Sequence, residues 1–237
     1  MNSWEKETYQ YEEDIKRIKL WLPDVSEITK KLPSIPLNYT PTAEGCVAIQ
    51  VSSLVLNDMF FANQAMDAFI VLWEKGMFST ISLPTRLVYE LWGAIHYAWQ
   101  TIGQMNATGN VSRASEISNR LTMGARSEVQ LPWGGITQEK SINVISFIDL
   151  LKDVEPQAKK IYNFLCESCH PSFLRLTSWS LMGPHIGNWT NKKFCEHAHV
   201  LIADTLRYME GALQGISLDT LKTLELALPY IEKDMKE

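Results

Sequence analysis

Residues 82–99 read SLPTRLVYELWGAIHYAW, and the nature of this stretch decides the fold. Between Leu83 and Trp99 only Arg86 and Glu90 are formally charged. Pro84 falls in a first helical turn, where its missing N–H costs no hydrogen bond, and the segment continues to about Gln104. A helix that is apolar on nearly every side belongs inside a bundle rather than on its surface. The flanking pattern is helical as well. Residues 4–22 form an amphipathic segment, with Ile15, Ile18, Leu20 and Leu22 among charges and Pro23 at its end. Cys46–Trp73 is a long apolar run of mostly helical period, with Gly76 as its stop.

Beyond the central segment, residues 111–124 predict a short polar helix and Ser141–Lys152 another. Pro156 opens a helix through Cys169, and further helices are expected over 171–181, 193–213 and 217–235. Gly215 separates the last two, with Ser217 as N-cap of the second. Two stretches lack helical period. The Pro-bearing connection 32–45, LPSIPLNYTPTAEG, reads as a linker or wrapping arm, and 126–140, RSEVQLPWGGITQEK, as a loop. The expectation is an all-α fold: one domain over 1–237, a single bundle of about eight helices around the central helix 82–104.

With 46% hydrophobic and 21% charged residues over 237 positions, the chain has ordinary globular proportions and can bury a core without disulfides or metal. A net charge of -5 excludes a global basic footprint for nucleic acid, leaving RNA binding to a local patch. The amino terminus, MNSWEKETYQYEEDIKRIKLW, lacks the pattern of a secretory signal. Apolar stretches such as LVYELWGAIHYAW carry charges and fall short of a membrane span. A cytoplasmic protein with no membrane partner is expected, its four cysteines thiols.

Chemistry concentrates at two places. Arg86 and Glu90 stand at i and i+4 and share a helix face. Inside a bundle they form either a structural ion pair that sets helix register or part of the lining of a functional cavity, with Tyr97 further along. The second place is YNFLCESCHPSFLRL, 162–176. His170 precedes Pro171, so its helix should end there and the next begin. At such a junction the imidazole either bonds a backbone carbonyl or a carboxylate such as Glu90, or serves as general acid or base. Cys166-x-x-Cys169-His170 also spells a haem-attachment string, at odds with a cytoplasmic chain. Zinc held by Cys166, Cys169, Cys195 and His199 is the alternative metal reading, weakened because all four fall within helices. No cofactor is expected.

PTRLVYELWGAIHYAW resembles the Arg-x-x-x-Glu helix of an uncharacterised bacterial family of helical proteins, a domain of unknown function. A later helix of that family reads Tyr, Ser and His at four-residue intervals, then Pro-Ser; the matching positions are Tyr162, Cys166, His170, Pro171 and Ser172. The resemblance spans roughly residues 50–210 and makes both cysteines small buried side chains. The family is similar to HEPN-type bundles, several of which are ribonucleases of toxin–antitoxin and phage-defence systems. That implies an effector of a bacterial defence or stress system, acting as homo-oligomer or with a protein partner, with RNA as substrate. In it Arg86 would hold a phosphate, His170 act as acid or base, Glu90 orient either, and Tyr162 support them. HEPN nucleases carry Arg with His shortly after it, whereas here His96 follows Arg86 by ten positions. The competing expectation is a non-enzymatic helical interaction module or oligomeric scaffold in which the same residues form a structural cluster.

Overall fold

The structure is a computed structural model describing residues 12–20, 40–75, 80–124, 140–170 and 191–236, with isolated positions 28, 30, 33 and 77; over 191–201 it describes the backbone alone. Among the described residues there are seven α-helices, one short 3-10 turn and no strand: α1 (Glu12–Leu20), α2 (Ala43–Glu74), α3 (Ser82–Thr108), α4 (Val111–Met123), α5 (Val144–Leu150), α6 (Ala158–Ser168) and α7 (Asn191–Asp234), with the 3-10 turn Leu151–Asp153 after α5. The all-α expectation holds. The expected helix 171–181, loop 126–139, residues 4–11 and most of the Pro-bearing connection lie outside the described residues.

Local chemistry sets the helix ends. Thr42 caps α2 by accepting from the Gly45 N–H at 3.1 Å, so α2 begins at Ala43, inside the stretch read as linker. The Thr42 hydroxyl also donates to the Asp234 carboxylate at 2.8 Å, tying the start of α2 to the end of α7. Helix α3 runs one turn beyond Gln104 and closes at Gly109, whose φ of +67° only glycine adopts without strain. The Gly109 N–H reaches the Met105 carbonyl at 2.8 Å. Asn110 then caps α4 and Asn143 caps α5, through bonds to Arg113 N and Ile145 N.

Helices α2, α3 and α7 pack mutually and carry the core, with α4, α5 and α6 against α3. Val51, Val55, Met59 and Phe69 of α2 meet Val88, Tyr89, Ile95 and Ile102 of α3 and Met209, Leu213 and Ile216 of α7 in one buried cluster. Tyr89, buried among apolar neighbours, has its phenol pushed well above its ordinary range by that burial.

Three expectations need correction. Gly215 breaks nothing: α7 is continuous through it, and a Cβ there would run into the Trp92 ring. The residue is glycine because an indole lies on the helix backbone, and Ser217 is therefore mid-helix instead of an N-cap. With the two terminal helices merged, the described helices number seven rather than about eight. Second, α3 is not buried all round: Leu83 and Leu87, one turn apart, are 48% and 43% exposed. Third, one helix, α2, is long and apolar enough to cross a membrane, and half of that apolar window is buried inside the bundle.

Candidate functional site

Helix α3 presents Ser82, Arg86 and Glu90 at successive i+4 steps, and α6 presents Tyr162, Cys166 and Cys169 along one face. The two helices run antiparallel at this contact. Glu90 pairs with Tyr162, Arg86 lies between Tyr162 and Cys166, and Ser82 lies beside Cys169. Glu90 Oε1 accepts from Arg86 Nε at 2.9 Å and from the Tyr162 hydroxyl at 2.8 Å. Arg86 Nη2 approaches the same hydroxyl at 3.4 Å, and the guanidinium carbon lies 5.6 Å from the Tyr162 ring centroid, within cation–π reach.

The environment fixes the charges. Burial works against the Arg86 charge, but the hydrogen bond and negative charge of Glu90 outweigh it and raise the guanidinium above its ordinary range. Burial first, then the bond and charge of Glu90, push the Tyr162 phenol well above its ordinary value. Tyr162 therefore stays a neutral donor and Arg86 a cation. Arg86 keeps 39% of its side chain exposed, and its bonds to Glu90 and Tyr162 run through Nε and Nη2. The cluster can present positive charge to an anion; Tyr162 offers no base near neutral pH.

His170 lies just past the end of α6. Helix α6 ends at Ser168 with Cys169 as its cap, and the His170 N–H closes the turn on the Glu167 carbonyl at 3.0 Å. Its side chain is exposed, about 12 Å along the axis from Tyr162 at 1.5 Å per residue. The imidazole is therefore not buried. Tyr97 packs on Phe147 of α5, 6.0 Å between centroids. Cys166 and Cys169 are free and half-buried. The side chains of Cys195 and His199 lie outside the described residues, and among the described ones no group of three His, Cys, Asp or Glu could hold a metal ion.

A second polar cluster lies deeper. Trp92, His96 and Gln100 form another i+4 row on α3. Asp219 of α7 accepts from Trp92 Nε1 at 3.0 Å and meets His96 Nδ1 at 2.9 Å through the same oxygen, Oδ2. Gln100 Nε2 lies 3.1 Å from His96 Nε2. Lys222 approaches Asp219 Oδ1 at 3.7 Å and sits 4.8 Å over the Trp99 ring. His96 is fully buried and Asp219 nearly so. Such charge inside a core must be paired, and this set pairs it. Sequence reasoning missed it: the row Trp92, His96, Gln100 was visible on an apolar helix, but its carboxylate lies 123 positions away from His96.

Comparison of the chain with protein-family models, with curated proteins and with solved structures found no match.

Proposed function

We propose that the chain is a non-enzymatic helical interaction protein, a scaffold that assembles with itself or with a protein partner in the cytoplasm. One observation carries this reading. Glu90 Oε1 is the shared acceptor of Arg86 and Tyr162, so these groups tie α6 to α3. The acid–base candidate, His170, is exposed just past the end of α6. Exposed apolar side chains supply contact surface: Leu83 and Leu87 on α3, and Phe60, Phe61 and Val71 on α2. Contiguous exposed apolar surface marks interaction sites, and these are the residues an assembly would bury.

The resemblance to the bacterial domain of unknown function belongs to the same proposal, and so does a place in a defence or stress system. Its support is that Arg86, Glu90 and Tyr162, matched by motif, touch in space. A second reading, a HEPN-like RNA-cleaving effector, draws on the partly exposed Arg86 guanidinium, which could accept a phosphate. One set of measurements separates the two. Wild type and His170→Ala are compared for cellular RNA integrity, unfolding free energy and mass in solution. The scaffold reading expects intact RNA with both proteins and assembly that deepens with concentration. RNA loss with wild type, abolished in a normally folded His170→Ala protein, overturns it.

A further inference from the structure

The pair Cys166–Cys169 is the sequence motif that a scaffold leaves unused. Both thiols are free and half-buried, and both lie on the face of α6 that meets α3. Residues three apart on a helix have Cα atoms about 5 Å apart, inside the range of roughly 4.4–6.8 Å that a disulfide spans. Their Cβ atoms, about 5–6 Å apart, must close by about 1 Å or more to reach bonding geometry. Cys169 can make that movement. It is the cap beyond Ser168, where its backbone N–H turns between the Glu167 and Leu165 carbonyls, the latter at 3.0 Å, and helix ends fray.

The surroundings favour redox chemistry over metal. Both sulfurs lie within reach of the Arg86 charge, and a fixed cation repels a metal dication. Burial pushes the Cys169 thiol up, while Ser82 and Arg86 oppose that rise.

We propose that Cys166 and Cys169 are a reversible redox pair, closed by a peroxide into a disulfide within one chain. One thiol gives up its proton to become a thiolate, which attacks a peroxide oxygen; the O–O bond breaks, and a sulfenic acid and hydroxide form, the hydroxide taking up the released proton as water. The second thiol attacks the sulfenic sulfur, the S–S bond forms and the S–O bond breaks, releasing another water. The two sulfurs lose the two electrons that the peroxide gains. A low-molecular-weight thiol reverses the reaction by exchange through a mixed disulfide. Closing the bond draws Cys169 from Ser82 and Cys166 from Tyr162 and Arg86, so oxidation loosens α6 on α3.

The test uses the full chain and hydrogen peroxide as probe. After treatment, remaining thiols are alkylated and the peptides mapped by mass. The expected result is a disulfide joining Cys166 to Cys169, reopened by dithiothreitol, with a lower Tm in the oxidised form. Cys46→Ser leaves this pattern unchanged, and in Cys166→Ser a dimedone adduct accumulates on Cys169 that wild type does not keep. The proposal fails if both cysteines are recovered alkylated, if either stops at sulfinic acid, or if the disulfide joins one of them to another copy or to Cys195.

Discussion

Glu90 Oε1 accepts from Arg86 and Tyr162 at once, so two substitutions around it should differ in a defined way. Tyr162→Phe removes one donor and costs about 1 kcal/mol in unfolding free energy. Glu90→Gln weakens both bonds and should cost about 1–2 kcal/mol, held to that range because Arg86 and Glu90 keep solvent contact. Urea unfolding of both variants checks the order; a larger loss for Tyr162→Phe contradicts the shared-acceptor geometry. Asp219 sets a harsher case. Asp219→Ala leaves the indole N–H of Trp92 and the imidazole of His96 without their acceptor in a dry core, and should cost about 3–5 kcal/mol, lowering the urea midpoint far more than either change at the Glu90 site. The two clusters also differ in how legible they are in the amino-acid sequence. Arg86 and Glu90 declare themselves as the only charges in an apolar helix, whereas Tyr162 enters beside them only through the family motif. The motif runs on to His170, which lies past the helix end at Ser168, because periodicity gives a face but not where the helix stops. Asp219 announces nothing, since its neighbours in sequence, Leu218 and Leu221, are exposed apolar residues and its partners come from another helix.

Helices are legible wherever apolar period runs long, and least legible where a glycine serves packing instead of chain reversal. Gly109 and Gly215 look alike in sequence, yet only Gly109 has a positive φ and ends its helix. Gly215 sits where the Trp92 indole lies on the α7 backbone, and Gly93 likewise faces Phe147, 2.7 Å from where a Cβ would be. Both are contacts between helices distant in sequence, beyond reach of a local rule. Two substitutions in α7 expose the difference. Gly211→Ala meets nothing within 4 Å and should stabilise by up to about 1 kcal/mol, the helix propensity of alanine over glycine. Gly215→Ala forces a methyl into the indole and should destabilise by about 1–3 kcal/mol or more. Thermal unfolding of the pair decides; equal effects of one sign would mean that α7 and α3 do not approach at Trp92 as they do here.

At the scale of the molecule, α2 poses the sharpest conflict between composition and environment. It is apolar enough to cross a membrane, yet half of that window lies inside a helical core, and it carries a carboxylate in mid-run. Burial pushes the Asp58 carboxyl from an ordinary 3.8 up to about 7. The sign of the consequence follows from proton counting. Between about pH 4 and pH 7 folded Asp58 holds a proton that the unfolded chain has lost, so stability falls as pH rises through that window. One proton gives a slope of at most about 1.4 kcal/mol per pH unit. Above about pH 7 both states are ionised and the cost is fully developed; below about pH 4 both are protonated and it vanishes. Asp58→Asn keeps the shape and removes the charge. It should unfold at higher urea than wild type at about pH 8, with the advantage shrinking steadily towards about pH 4.5. Urea titrations of both proteins at the two ends of that range and midway between them measure this directly. A difference that stays constant with pH, or grows on acidification, would mean that water reaches Asp58 freely and that the α2 face around it is not packed against the bundle.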